Sequence, residues 1–225
     1  MDATPVSIPI PHARPVAGLL NRPRAARACF VFAHGAGAGM THPFMAAFAA
    51  DLATRDVACL RYQFPFMERG SRRPDAPAVA QAAVRAAVAA AADLAPGVPL
   101  FAGGRSFGGR MTSQAQAAAP LPRVRGVCFL GFPLHPAGKP GVARAAHLAD
   151  VCVPMLFLQG DRDALADLAL LRPIVEQLGP RASLVVIPRA DHSFHVPARN
   201  DQAEADVRRR LAEALAGWMA AADGR

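Results

Sequence analysis

Short, continuously apolar runs alternate along the chain with longer stretches of helical period. The first two runs, residues 6–10 and 16–20, have no helix between them and predict a starting hairpin. Residues 29–33 (Cys-Phe-Val-Phe-Ala) then read as a strand buried on both faces. A helix is expected from Pro43, with proline at its first position and Phe44, Phe48 and Leu52 four residues apart. Further strands are predicted over 57–62, 99–103, 127–131, 153–159 and 182–187. Helices are predicted over 78–94, 107–118, 165–178 and 201–221, the last carrying Val207, Leu211, Leu215 and Trp218 on one stripe. Strands that alternate with helices predict an α/β fold: a mainly parallel central sheet with helices on both faces. The irregular stretch 63–77, with three prolines and three arginines, reads as a surface loop. With no repeat, low-complexity linker or break in composition, residues 1–225 are expected to form one domain, 1–27 supplying the N-terminal strands and loop.

Composition narrows the class. The chain has 225 residues, 52% hydrophobic and 19% charged, which suits a folded core and excludes a disordered or fibrous protein. No apolar run reaches the roughly 18 residues that a membrane span needs, so no membrane association is expected. Residues 1–15 hold Asp2 and four prolines rather than a basic start and an apolar stretch, so no signal peptide is expected and a cytoplasmic location is. Cys29, Cys59, Cys128 and Cys152 lack the paired spacings of a zinc site or redox motif, and each lies in or beside an apolar run. They are expected to be small buried hydrophobes, with no metal bound. The net charge of +8 raises nucleic acid as a partner. However, Lys139 is the one lysine among 25 basic residues, and the arginines are scattered. The densest run, Arg208-Arg209-Arg210, follows Glu204 and Asp206 by four residues, which predicts a salt-bridged helix face. No nucleic-acid partner is expected.

The strongest chemical signal is Gly104-Arg105-Ser106-Phe107-Gly108, set between a predicted strand and a predicted helix. Glycines two residues either side of a serine allow a turn tight enough to push the hydroxyl clear of the sheet on a strained backbone. With six serines and 18 glycines in the chain, chance supplies roughly 0.04 such patterns. A serine hydroxyl needs a base to take its proton, and the base needs a carboxylate to hold its tautomer. In this architecture the order should be serine, acid, histidine, each just past a strand end. The acid candidates are Asp161 and Asp163, in Gly160-Asp161-Arg162-Asp163. Asp163 is preferred because it lies deeper in the loop, whereas Asp161 can cap the turn or pair with Arg162. The base candidates are His192 and His195, and His192 is preferred as nearer the strand end. His12, His34, His42, His135 and His147 precede the acid and are expected to be structural.

A second loop, Ala33-His34-Gly35-Ala36-Gly37-Ala38-Gly39, directly follows the strand at 29–33. Met40-Thr41 does not supply the Lys-Ser/Thr of a phosphate-binding loop. The third glycine comes one residue early for a dinucleotide fingerprint, and Arg61-Tyr62 stands where its acidic ribose partner would be. No cofactor is expected. What remains is an oxyanion loop, with the N–H of Ala36 joining that of Phe107.

Through His34-Gly35-Ala36-Gly37, Gly104-Arg105-Ser106-Phe107-Gly108, Gly160-Asp161-Arg162-Asp163 and Ala190-Asp191-His192-Ser193-Phe194, the chain resembles small dienelactone-hydrolase-like α/β-hydrolases over about residues 28–218. The resemblance implies an α/β-hydrolase fold, a catalytic triad of Ser106, Asp163 and His192, and an oxyanion hole of Ala36 and Phe107. It implies a serine hydrolase acting on a carboxylic ester, thioester or lactone, a small-molecule acyl substrate. True dienelactone hydrolases carry cysteine where this chain has Ser106. Through Gly103-Gly104-Arg105-Ser106-Phe107-Gly108-Gly109-Arg110 the chain is also similar to a branch that includes a subunit of an animal chromatin-acetylation complex, which implies the alternative of a catalytically silent interaction module. Only 21 residues (132–152) are available where lipases often insert a lid, so a minimal lid and an accessible site are expected. The loops 63–77 and 132–140 should border that site, with Arg69, Arg72, Arg73 and Lys139 available to an acidic substrate or simply solvated. The oligomeric state has no signature in the sequence.

Overall fold

In the computed structural model, which describes residues 2–197 and 201–224, eight strands form one sheet in the order β1-β2-β4-β3-β5-β6-β7-β8. The strands are β1 (Thr4–Ile8), β2 (Val16–Asn21), β3 (Ala28–Ala33), β4 (Val57–Tyr62), β5 (Leu100–Arg105), β6 (Val124–Leu130), β7 (Met155–Gly160) and β8 (Ala182–Ile187). β2 runs antiparallel to both its neighbours, β1 and β4, so the expected hairpin forms and extends the sheet edge. From β4 to β8 every pairing is parallel.

Period two along the strands separates two cores. Phe30, Phe32, Phe101 and Leu158 face one side, where α1 (Pro43–Ala53) contributes Met45, Phe48 and Leu52, and α6 (Asp201–Ala222) contributes Leu211 and Leu215. Val31, Ala102, Phe129 and Phe157 face the other, against Ala83, Val84 and Ala87 of α3 (Pro77–Leu94), Met111 and Ala115 of α4 (Phe107–Ala118), and Leu171 of α5 (Leu168–Leu178). Each fully buried Phe or Leu contributes about 1.5–3 kcal/mol. Burial on both faces is the reason these strands are apolar throughout.

The stretch 63–77 is not simply a surface loop. Pro65 opens the short helix α2 (Pro65–Glu68), and Phe64 and Phe66 are fully buried. Proline at a first helical position needs no N–H partner, so the proline that reads as a loop signal starts a helix here. Residues 143–150 form a short 3₁₀ segment in place of a larger lid. Cys29, Cys59 and Cys128 are buried, but Cys152 is exposed, lying before β7 rather than inside it. The pairs expected within α6 also differ. Arg208 reaches Asp51 of α1 at 2.6 Å, Arg209 pairs with Asp206, and Glu204 pairs with His195. Helix-to-helix contact and the nearby histidine outcompete the four-residue spacing.

β3 is flanked by β4 on one side and β5 on the other, so the chain changes direction across the sheet at β3. Loops leaving β3 and β5 therefore emerge side by side at the carboxyl ends of the strands, the crevice where open α/β sheets place their sites.

Candidate active site

Ser106 follows β5 with φ 49° and ψ −114°, a left-handed conformation that costs a non-glycine residue about 1–3 kcal/mol. Close packing enforces it. A Cβ on Gly104 would lie 2.6 Å from the Ala33 carbonyl oxygen and 2.7 Å from the Gly108 carbonyl carbon. A Cβ on Gly108 would lie 2.5 Å from the His34 carbonyl oxygen. The two glycines thus let the serine turn seat directly on the end of β3. The Ser106 N–H donates to the Leu130 carbonyl at 3.0 Å, tying the turn to β6. α4 starts at Phe107 with no side-chain hydrogen bond capping it.

Of the two acid candidates, the structure brings Asp163 to His192, while Asp161 is exposed. The Asp163 side chain is fully buried. Its Oδ2 lies 2.7 Å from His192 Nδ1 and accepts from Gln159 Nε2 at 2.5 Å, and its Oδ1 accepts from the Leu165 N–H at 2.7 Å. A carboxylate held this way accepts only, so Nδ1 of His192 carries the proton and Nε2 is left with its lone pair. That Nε2 lies 2.8 Å from Ser106 Oγ. The other base candidate, His195, points elsewhere, with its Nδ1 2.5 Å from Glu204 Oε1.

The histidine loop lies close against the sheet because two glycines admit it. A Cβ on Gly160 would be 2.2 Å from the Ala190 carbonyl oxygen, and one on Gly131 would be within 3.4 Å of the His192 ring. Asp191 folds the loop by accepting from the N–H groups of Ser193 (2.7 Å) and His195 (2.9 Å).

The glycine loop after β3 faces the serine turn, since a Cβ on Gly35 would be 3.9 Å from Ser106 Cβ. Ala36 packs against the same hydrophobic core to which Phe107 belongs. Both ends of the loop are held from the exit of β4. At one end the Phe64 N–H donates to His34 Nε2 at 3.0 Å, which fixes the proton on Nδ1, and Nδ1 donates to the Gly35 carbonyl at 2.7 Å. Burial pushes the His34 pKa down to about 4, so the ring is neutral. At the other end Gln63 Oε1 accepts from the Met40 N–H at 2.9 Å, and buried Arg61 donates to the Met40 carbonyl at 3.0 Å and to Asn21 Oδ1 at 3.1 Å. The remaining histidines do structural work where they have partners. His42 caps α1, His135 receives the Asp167 N–H, and His147 meets Ser113 Oγ at 2.8 Å.

The residues missed from sequence are Gln159, Arg61 and Gln63. Each is a polar side chain inside or ending an apolar run, and that interruption is the signal by which they can be found. The three buried thiols offer no competing nucleophile, since burial pushes Cys29 up to about 12 and raises Cys59 and Cys128 as well. Among the described residues no cluster of His, Cys, Asp and Glu is arranged to hold a metal ion, and no helix is long and apolar enough to cross a membrane.

A family model for the alpha/beta hydrolase domain matches residues 26–220. The chain belongs to the alpha/beta hydrolase family. Solved structures share the fold at low identity. A dienelactone hydrolase from Anabaena variabilis is 23% identical, with a TM-score of 0.75 over 94% of this chain and 95% of that one. An α/β serine hydrolase without a lid from Xanthomonas campestris is 20% identical, with a TM-score of 0.74 over 97% and 95%. Est1E from Butyrivibrio proteoclasticus, bound to ferulic acid, is 14% identical, with a TM-score of 0.77 over 98% and 100%. Between β6 and β7 this alpha/beta hydrolase carries only the short 3₁₀ segment 143–150.

Proposed function

We propose that the protein is a serine hydrolase that cleaves a carboxylic ester, thioester or lactone of a small molecule. The observation that carries this reading is the unbroken chain from Ser106 Oγ through His192 to Asp163, 2.8 Å and 2.7 Å long. His192 Nε2 takes the hydroxyl proton as Ser106 Oγ attacks the acyl carbon, and Asp163 stabilises the imidazolium that forms. The N–H groups of Phe107 and Ala36 receive the charge on the carbonyl oxygen. His192 then returns the proton to the leaving group, and water, activated by the same ring, releases the acid from the acyl-enzyme. The strained Ser106 backbone and the uncapped start of α4 support these roles.

A fluorophosphonate probe tests it. The wild-type protein should label at Ser106, and Ser106→Ala and His192→Ala should both lose the label. Labelling that survives Ser106→Ala, or a folded wild type that neither labels nor turns over any ester, thioester or lactone, overturns the reading.

A further inference from the structure

A cleft of about 440 Å³ lies beside the proposed triad, on the side of the histidine loop. Two of its lining residues are chain neighbours of the proposed catalytic pair: Arg105 precedes Ser106 and Ser193 follows His192. Pro43, Phe44 and Ala47 of α1 and Val207 of α6 supply an apolar wall. Phe44 and Phe194 lie nearly parallel, 6.3 Å between ring centres, and extend it.

The charges that face this cleft are almost all matched. Arg208 is paired with Asp51 at 2.6 Å, and Glu204 with His195 at 2.5 Å. Asp191 Oδ1 is taken by two backbone N–H groups. Arg105 is the exception. Its guanidinium sits over the Phe44 ring, 5.0 Å from the centroid. Among the described residues it makes no hydrogen bond and has no carboxylate within 4.0 Å, and Asp191 acts on it only from farther away. Burial lowers its pKa, and the nearby charge also lowers that of His42, although burial contributes more there. A partly desolvated cation with free N–H donors and an aromatic face behind it is a receptor for a planar anion. The arginines of the neighbouring loop do not compete, since Arg69 pairs with Asp75 at 2.5 Å and Arg72 and Arg73 are exposed.

We propose that Arg105 is a specificity residue that binds a carboxylate carried by the ester substrate, whose short apolar stem lies along Phe44 and Phe194. The proposal deepens the hydrolase reading and rests on it. The carboxylate can be joined to the acyl part or to the alcohol part, and the probes separate the two. Hydrolysis of monoethyl glutarate would be compared with ethyl valerate by proton release, and para-carboxyphenyl butyrate with phenyl butyrate. In at least one pair the carboxylated ester should have a kcat/KM about tenfold higher, the range of a charge-assisted hydrogen bond. The preference should fall to near parity in Arg105→Gln and persist in Arg24→Gln, which removes the same charge at an exposed site. Fluorophosphonate labelling of Ser106 runs alongside. Labelling and neutral-ester turnover with no charge preference in either wild-type pair overturns the role of Arg105 and leaves the hydrolase reading standing. A preference unchanged in Arg105→Gln does the same, and the wild-type comparison decides the matter even where that variant fails to fold. No labelling and no turnover of any ester overturns both.

Discussion

At the scale of single residues, the site depends on one proton being in one place. Asp163 accepts from Gln159 and from the Leu165 N–H, so its carboxylate is fixed before it meets His192. The ring is thereby held with hydrogen on Nδ1 and a lone pair on Nε2, toward Ser106. Asp163→Asn keeps the volume but puts an amide where an acceptor is needed. The histidine can then adopt the wrong tautomer, and kcat is expected to fall by about 10⁴, with KM changing little and the circular dichroism spectrum retained. A loss of less than tenfold in a folded variant would show that Asp163 does not hold the base. The choice between Asp161 and Asp163 was legible only as a preference from depth in the loop. The two differ in burial, which is set by where Gln159 ends β7 and how closely Ala190 approaches Gly160. The same holds for His192 over His195. Their sequence positions differ by three, but Asp191 curls the loop so that one ring turns to the serine and the other to Glu204.

At the scale of elements, the interior parallel strands were readable because two-sided burial leaves them largely apolar, and β4, the partly buried edge strand β8 and α4 have the expected bounds. β6 begins earlier than its apolar run, at Val124, because Arg125 points outward and Gly126 makes room for Trp218 of α6, which would lie 2.5 Å from a Cβ there. Such a contact spans nearly a hundred residues and leaves no local trace. The glycine loop was legible as a motif, but its support was not. Residues 34–40 span from β3 to α1, and the exit of β4 holds both ends through His34, Gln63 and Arg61. Arg61 is buried with no carboxylate partner among the described residues, so its placement is explained by the Met40 carbonyl and Asn21 that it satisfies. Arg61→Met leaves that carbonyl unpaired and frees the far end of the loop. A shift of about 1 Å in an oxyanion donor is enough to lower kcat by about tenfold to a hundredfold. KM should stay within about twofold, since the proposed oxyanion donor acts on the transition state, and Arg61→Lys should recover part of kcat. A loss confined to KM, or to melting temperature with kcat intact, would mean that the arginine serves only packing.

At the scale of the whole molecule, the same loop couples the site to stability through His34. The ring is fully buried against Phe64 and Phe66, and its one acceptor nitrogen is filled by the Phe64 N–H. Protonation would put a hydrogen on that nitrogen, the second N–H of the ring, facing a donor inside an apolar cluster. The folded state therefore holds the pKa at about 4, against 6.5 for the free side chain. Between those values the unfolded chain binds a proton that the folded chain refuses, so stability rises with pH there. The contribution of neutral His34 is fully present above pH 6.5, is lost as pH falls toward 4, and reaches about 3 kcal/mol. His147, lowered by burial and by Arg110, adds loss in the same direction. Urea unfolding of the wild type should show a midpoint that drops between pH 6.5 and 4, and His34→Gln should show a shallower drop from a lower starting stability. The ring itself offers a check that needs no variant: one histidine Cε1 proton resonance should not titrate until near pH 4. If all seven histidines titrate close to 6.5, the neutral His34 that ties the end of β3 to the exit of β4 is not the state of the folded protein.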